Sequence, residues 1–350
     1  MIDDYNVTNI PSLKEMVATN YDTIAENEIP EIRGIGILTS GGDAPGMNAT
    51  IRAVVRAGIK SGYKMLGVKR GYHGLWKGEI EEITKRDVSE KLQRGGTFLM
   101  TARSKTFETP EGVLKGAKMC KVFGIDVLVV IGGDGSYRGA RDLARIGIPV
   151  IGLPGTIDND IASTEYTIGY DTAMNTAMEA IDKLRDTASS HERCSVIEVM
   201  GRRAGYIALN VGIATGAEVI LIPEHPYDFN KDVVKVILDG RNAGKHHYIV
   251  IVAEGAGKTV EIAQRIEEAT GIESRPTILG HLQRGGSPTL RDRTMASLMG
   301  IHAIECIDAR RLNRLVIFKD GRISDVDIEE GLRMQKTITE EELGRAKVLS

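Results

Sequence analysis

The stretch VLVVIGGDGSY, residues 127–137, runs an apolar, β-branched segment straight into two glycines, an acid and a third glycine. Val127–Ile131 reads as a buried strand, because a short continuous apolar run bounded by glycine suits a strand covered on both faces. The same order recurs along the chain. Ile35–Leu38 leads into TSGGDAPGMN, Val150–Leu153 into PGTIDND and Val196–Val199 into MGRRAG, with further strand cores at Val219–Ile222 and Ile249–Val252. Between them, stretches of helical period fall near 47–60, 111–123, 137–146, 170–186, 204–213, 230–242, 259–270 and 290–308. Strands alternating with helices predict an α/β fold with a mostly parallel sheet. In such folds ligands bind beyond the carboxyl ends of the strands, where these glycines and acids fall.

Composition narrows the classes. At about 150 residues per domain, a chain of 350 residues suggests two domains. Lys and Arg number 45 against 48 Asp and Glu, a formal charge of -3, so no basic field exists to collect nucleic acid or an anionic membrane. The three cysteines, Cys120, Cys194 and Cys306, lack metal or disulfide spacing and point to a reducing, cytoplasmic setting. Residues 1–30 carry scattered acids and no signal-peptide pattern, and no run approaches the roughly 18–20 apolar residues of a membrane span. Ser12 and Glu15 have capping-box spacing after Pro11, which predicts a short helix at 11–19.

The loops offer chemistry, each with a plainer alternative. Gly41 and Gly42 could cradle a phosphate on their N–H groups and the following helix end, or form an ordinary turn. In IGGDGSY, two glycines let the backbone pass close to a ligand, Gly135 leaves room, and Asp134 offers a hard oxygen to magnesium, or else caps a helix beginning near Ser136. GLPGTIDNDIAST, residues 152–164, sets Asp158 and Asp160 about an asparagine, as a catalytic pair or as solvated loop acids. Arg103, Arg193, Arg202, Arg275, His281 and Arg284 stand near loops read as one sheet edge, where arginine could meet phosphate oxygens. A carboxylate base, a metal-holding carboxylate and several cations are what phosphoryl transfer requires.

Six motifs carry a resemblance. GILTSGGDAPGMNATIRAVVR (36–56), VVIGGDGSY (129–137), GLPGTIDNDI (152–161), TIGYDTAMNTAMEAIDKLRDTASSHER (167–193), VMGRRAGYIAL (199–209) and LGHLQRGGSPT (279–289) resemble, in order, the bacterial ATP-dependent 6-phosphofructokinases. The resemblance implies two Rossmann-like three-layer α/β/α domains with the active site in the cleft between them. It implies a larger ATP-binding domain at 31–169 plus 284–335, a smaller fructose 6-phosphate domain at 170–283 plus 336–350, and residues 1–30 as an extension without an inherited role. Asp158 matches the family's proton acceptor, beside Thr156 and Ile157, with Asp160 a supporting carboxylate and Asp134 the magnesium ligand. Gly41, Arg103, Gly133, Gly135 and Ser136 match the ATP site, with Arg103 set against the transferring phosphoryl group. Met200, Gly201, Arg202, Glu254, His281 and Arg284 match contacts to the sugar phosphate. Arg193 and Arg275 match residues supplied by a neighbouring subunit, which implies a homotetramer.

The pyrophosphate-using branch of the family has Asp where this chain has Gly135 and Lys where it has Gly155, so the resemblance favours ATP. Arg52, Arg56, Arg185 and Lys245 match an effector site for ADP or phosphoenolpyruvate, though Lys85, Ala243 and His246 depart from that pattern. Three other readings bear on the chain: a pyrophosphate-dependent phosphofructokinase, a kinase sharing only the GGDG element, and a catalytically silent subunit that senses nucleotide and sugar phosphate. Intact Asp134, Thr156, Asp158, Arg103 and Arg202 count against the last.

Overall fold

The apolar runs become the middle strands of two sheets. In chain order the strands are β1 Gly34–Thr39, β2 Lys64–Val68, β3 Ile80–Glu82, β4 Val127–Gly132, β5 Val150–Pro154, β6 Cys194–Val199, β7 Val219–Leu221, β8 Tyr248–Ala253, β9 Ser274–Ile278, β10 Arg314–Lys319 and β11 Arg322–Asp327. The computed structural model describes residues 31–348, so the helix expected at 11–19 lies outside the described residues.

Seven strands form a sheet of order β11-β10-β5-β4-β1-β2-β3, and four form a second of order β7-β8-β6-β9. All neighbours are parallel except the β2–β3 and β10–β11 pairs at the two edges of the larger sheet. Every residue of β1, β4, β5 and β8 is buried, which is why each reads as an unbroken apolar run. The five strands missed from sequence all lie at or next to an edge: β2, β3, β9, β10 and β11. Pro276 within β9 fits an edge position, since proline cannot donate to a ladder on both sides.

The helices keep their predicted places with shifted ends. The one expected at 137–146 spans Asp134–Arg145, that at 170–186 runs on to His191, and that at 204–213 lies at Tyr206–Thr215. The 230–242 segment divides into a π-helical turn, Phe229–Val234, and an α-helix, Lys235–Asn242. Helices Gly71–Lys77, Ile328–Arg333 and Glu340–Val348 were not anticipated. Among the described residues no helix is long and apolar enough to cross a membrane.

Helix Leu290–Asp308 packs along helix Met47–Lys60, where Gly300 lets it close on Ala53. Near its start Asp292 is fully buried. Its carboxylate accepts the N–H groups of Gly169 at 2.7 Å and Thr172 at 2.8 Å, and the hydroxyls of Thr172 and Tyr166. These donors lie at and just before the start of helix Tyr170–His191, which leads into the smaller sheet. Replacing Asp292 by Ala leaves four buried donors without an acceptor, so a loss on the order of 3 kcal/mol or more is expected in denaturant unfolding. A loss below about 1 kcal/mol would show that the donors find other partners.

Candidate active site

The larger sheet reverses direction beside β1: the chain steps out to β2 and β3, then returns to place β4 on the other side of β1. Such a switch point opens a crevice at the carboxyl ends of the two strands. A side chain at Gly132 would collide there with Ser40 from the β1 loop and with buried Ser136. Helix Asp134–Arg145 therefore starts in the crevice, with no side chain capping it, so its first N–H groups and positive dipole end face outward. Asp134 is the first residue of that helix and not its cap; its carboxylate pairs with Arg138 at 2.9 Å. An added Cβ at Gly135 would meet nothing within 4 Å.

Gly41 holds a left-handed turn, φ 86°, in the β1 loop. The helix after it starts only at Met47, capped by Gly46, so the helix end expected beside Gly41 and Gly42 is supplied instead by Asp134–Ser136. Thr101 donates its hydroxyl to the Gly41 carbonyl at 2.8 Å, and Arg103, two residues on, is exposed.

The acid loop follows β5. Thr156, Ile157 and Asp158 are buried, Asp158 with only 6% of its surface exposed, and the Asp158 N–H donates to Thr156 Oγ1 at 3.2 Å. Asp158 Oδ1 has no hydrogen-bond partner among the described residues. Burial, then the charge of Asp160, push the Asp158 carboxyl up to about 6, with Arg284 and Arg202 opposing. Burial also raises Asp160. Asp134 and Asp160 line one cavity of about 410 Å³ with Arg138 and Lys336. Two carboxylates facing one cavity are hard oxygen donors that repel each other, a set that fits a magnesium ion. Gly155, by contrast, faces the core, where an added Cβ would lie 2.8 Å from Ile131 and 3.2 Å from Met47.

The smaller sheet supplies the other wall. Met200–Arg202 follows β6, Glu254 follows β8 and the turn Gly280–Arg284 follows β9. Gly201 has φ 143° and Arg202 φ 59°, backbone strain of a kind common at functional sites. The Arg202 N–H donates to Glu254, and the Met200 N–H to Oε1 of buried Gln283 at 2.8 Å. Arg284 reaches across to the larger sheet, where its guanidinium packs on Gly42 and donates to the Asp43 carbonyl at 3.0 Å. His281 is exposed on the same turn.

Two expected members do not join this set. Arg193 precedes β6 and Arg275 lies near the start of β9, so both stand at the opposite end of the sheet from Arg202, and both pair with Glu273. Six residues of extended chain separate the ends by about 20 Å, which corrects the reading of one shared edge. At that same far end Lys245 pairs with buried Glu218, and Arg185 donates to the Thr215 carbonyl. Arg52 and Arg56 lie on helix Met47–Lys60. Elsewhere His302, Cys306 and Asp325 have metal-ligand proximity, but Arg311 and Arg314 already hold Asp325 in an ion-pair network. Lys336 escaped the sequence reading because no motif surrounds it; Gln283 sat inside the quoted GHLQRGGSP.

A family profile described as phosphofructokinase matches residues 34–307. The chain belongs to the phosphofructokinase family. An ATP-dependent 6-phosphofructokinase of Clostridium botulinum is 55% identical over 319 residues, which cover 91% of this chain and 100% of the relative. The phosphofructokinase structure from Saccharomyces cerevisiae superposes with a TM-score of 0.81 at 36% identity, covering 86% of this chain and 45% of that longer one. A pyrophosphate-dependent phosphofructokinase from Marinobacter aquaeolei shares the fold, TM-score 0.78, at 22% identity over 89% of this chain and 86% of that one.

The Asp158 environment bears on the stability of this phosphofructokinase fold. With its folded pKa near 6 against an ordinary 3.8, the native state holds the proton more firmly than the unfolded chain. Stability from this group is therefore full below about pH 4 and lost as pH rises through 6, a cost on the order of 2–3 kcal/mol at pH 8. Asp158→Asn should accordingly raise Tm at pH 8 more than at pH 4. An equal shift at both pH values would mean that the carboxylate is solvated.

Proposed function

We propose that this cleft transfers the γ-phosphoryl group of ATP to the 1-hydroxyl of fructose 6-phosphate, giving fructose 1,6-bisphosphate and ADP in glycolysis. The observation that carries the mechanism is Asp158, a buried carboxylate with an unpartnered oxygen and a pKa raised to about 6. Such a group is unprotonated at neutral pH yet basic enough to take the proton from the attacking hydroxyl. Thr156 and Ile157 border the acceptor, and Asp160 supports the geometry.

ATP is proposed to lie on the Gly41 loop and the Gly133–Ser136 turn, with its phosphates against the uncapped helix start and Arg103 set against the moving group. Asp134 would hold magnesium, with Asp160 across the cavity; the ion supplies charge neutralisation to phosphate oxygens when bound. Met200, Gly201, Arg202, Glu254, His281 and Arg284 would hold the sugar phosphate, and Arg202 lies close enough to Asp158 and Asp160 for its charge to oppose the rise that burial gives both carboxyls. Gly135 supports ATP over pyrophosphate, since the space above it is open.

Further assignments go with this reading. We divide the chain into the nucleotide-binding part 31–169 plus 284–335 and the sugar-phosphate part 170–283 plus 336 onward, a division in keeping with the two sheets. Arg193 and Arg275, distant from their own cleft, would serve a neighbour's 6-phosphate site in a cytoplasmic homotetramer. Arg52, Arg56, Arg185 and Lys245 would bind an anionic effector such as ADP or phosphoenolpyruvate.

In a coupled assay with magnesium and fructose 6-phosphate, ATP should yield bisphosphate and pyrophosphate should not; the reverse donor preference, or no product, overturns the reading. Asp158→Ser should lower kcat by about 10² to 10⁴ or more, with KM for fructose 6-phosphate changed far less. Turnover near the wild-type rate would move the base role to another residue.

A further inference from the structure

We infer that Lys336 is a positioning residue for phosphoryl transfer: from the carboxyl-terminal segment it clamps the main chain of the acid loop and ties that loop to the wall that carries Arg202. This rests on the phosphofructokinase reading and assigns a residue outside all of the motifs that led to it.

The geometry of the loop carries the inference. Asp158 Oδ1 has no donor among the described residues to aim it, so the direction of that carboxylate depends on the backbone beneath it. The next residue, Asn159, sits in the left-handed region at φ 52°, a conformation that persists where its surroundings hold it. The Lys336 ammonium donates to the Asn159 carbonyl at 2.8 Å and to the Thr164 carbonyl at 3.1 Å. One cation thus closes the loop that begins at Asp158, gathering two carbonyl oxygens on a single ammonium.

The clamp also spans the cleft. Its Nζ lies 4.6 Å from the centre of the Tyr206 ring, and Tyr206 opens the helix that follows Met200–Arg202. The acid loop and the Arg202 loop therefore share one support, which also lines the cavity holding Asp134 and Asp160. Lysine suits this place, since a single ammonium has three donors and can serve both carbonyls while facing the ring.

The test uses the full-length enzyme with saturating ATP and magnesium. Lys336→Met should lower kcat by about 10- to 100-fold, with KM for fructose 6-phosphate within about threefold, the pattern expected when a base is misplaced by a fraction of an ångström. Lys336→Arg keeps a cation at the site and should restore kcat to within about fivefold of wild type. A strut without a positioning role would lower Tm and leave the kcat of the folded enzyme unchanged, and that result overturns the inference alone. Loss of kcat in Lys336→Arg equal to that in Lys336→Met also overturns it. Should Lys336→Met fail to fold, Lys336→Gln, with an amide donor and no charge, takes its place and should lower kcat at least fivefold below Lys336→Arg; a kcat equal to that of Lys336→Arg overturns the inference. A wild-type chain with no turnover overturns the phosphofructokinase reading and this inference together.

Discussion

The buried Asp292 carboxylate sets the relation between the two sheets. It stands in the first turn of the helix that returns the chain to the larger sheet and accepts from Tyr166, Gly169 and Thr172, where the chain leaves for the smaller one. Both crossings are thereby tied at one anion near two helix N-termini, where negative charge is favoured. Burial nonetheless raises its pKa, outweighing the donors that lower it. Since Met200–Arg202 and Asp158 lie on opposite sides of these crossings, the alignment of the two half-sites depends on this contact.

Asp158 is a buried carboxylate treated in the opposite way. Asp292 has both oxygens engaged by donors, whereas Asp158 keeps an oxygen free. A donor placed on Asp158 would steady the fold and occupy the lone pair that takes a proton; without one, the group stays basic at a cost in stability. Support for Asp158 consequently comes through the backbone, from the Thr156 hydroxyl at its own N–H and from Lys336 one residue on.

Much of this could be read from the sequence because the central strands are buried on both faces. Val127–Ile131 and Ile249–Val252 needed no alternation pattern to be recognised, and the glycines after β1, β4 and β6 marked the strand ends that meet at the cleft. What escaped notice has physical reasons. An edge strand such as β11, with sequence RISDVD, has solvent on one side and reads like a loop. Asp292 lies in an ordinary-looking RDRT, and its importance comes from donors some 120 residues away in the chain. Arg193 and Arg275 looked like neighbours of Arg202 because proximity to a strand does not say which end of it. The direction of β6 settles that, and it puts them at the far end.

The two glycines that bear on the choice of phosphoryl donor differ physically. The fold itself cannot make that choice, since a pyrophosphate-dependent enzyme shares it at a TM-score of 0.78. At Gly135 a side chain would enter open space, so the glycine keeps volume free for a ligand and a carboxylate there would need no repacking. At Gly155 a side chain would press on Ile131 and Met47, both fully buried in the core beneath the cleft. A lysine at 155 therefore requires the buried side chains of Ile131 and Met47 to shift, which costs stability because close-packed interiors yield little. Gly155 records how the core is packed, and only Gly135 speaks directly to the shape of the nucleotide site.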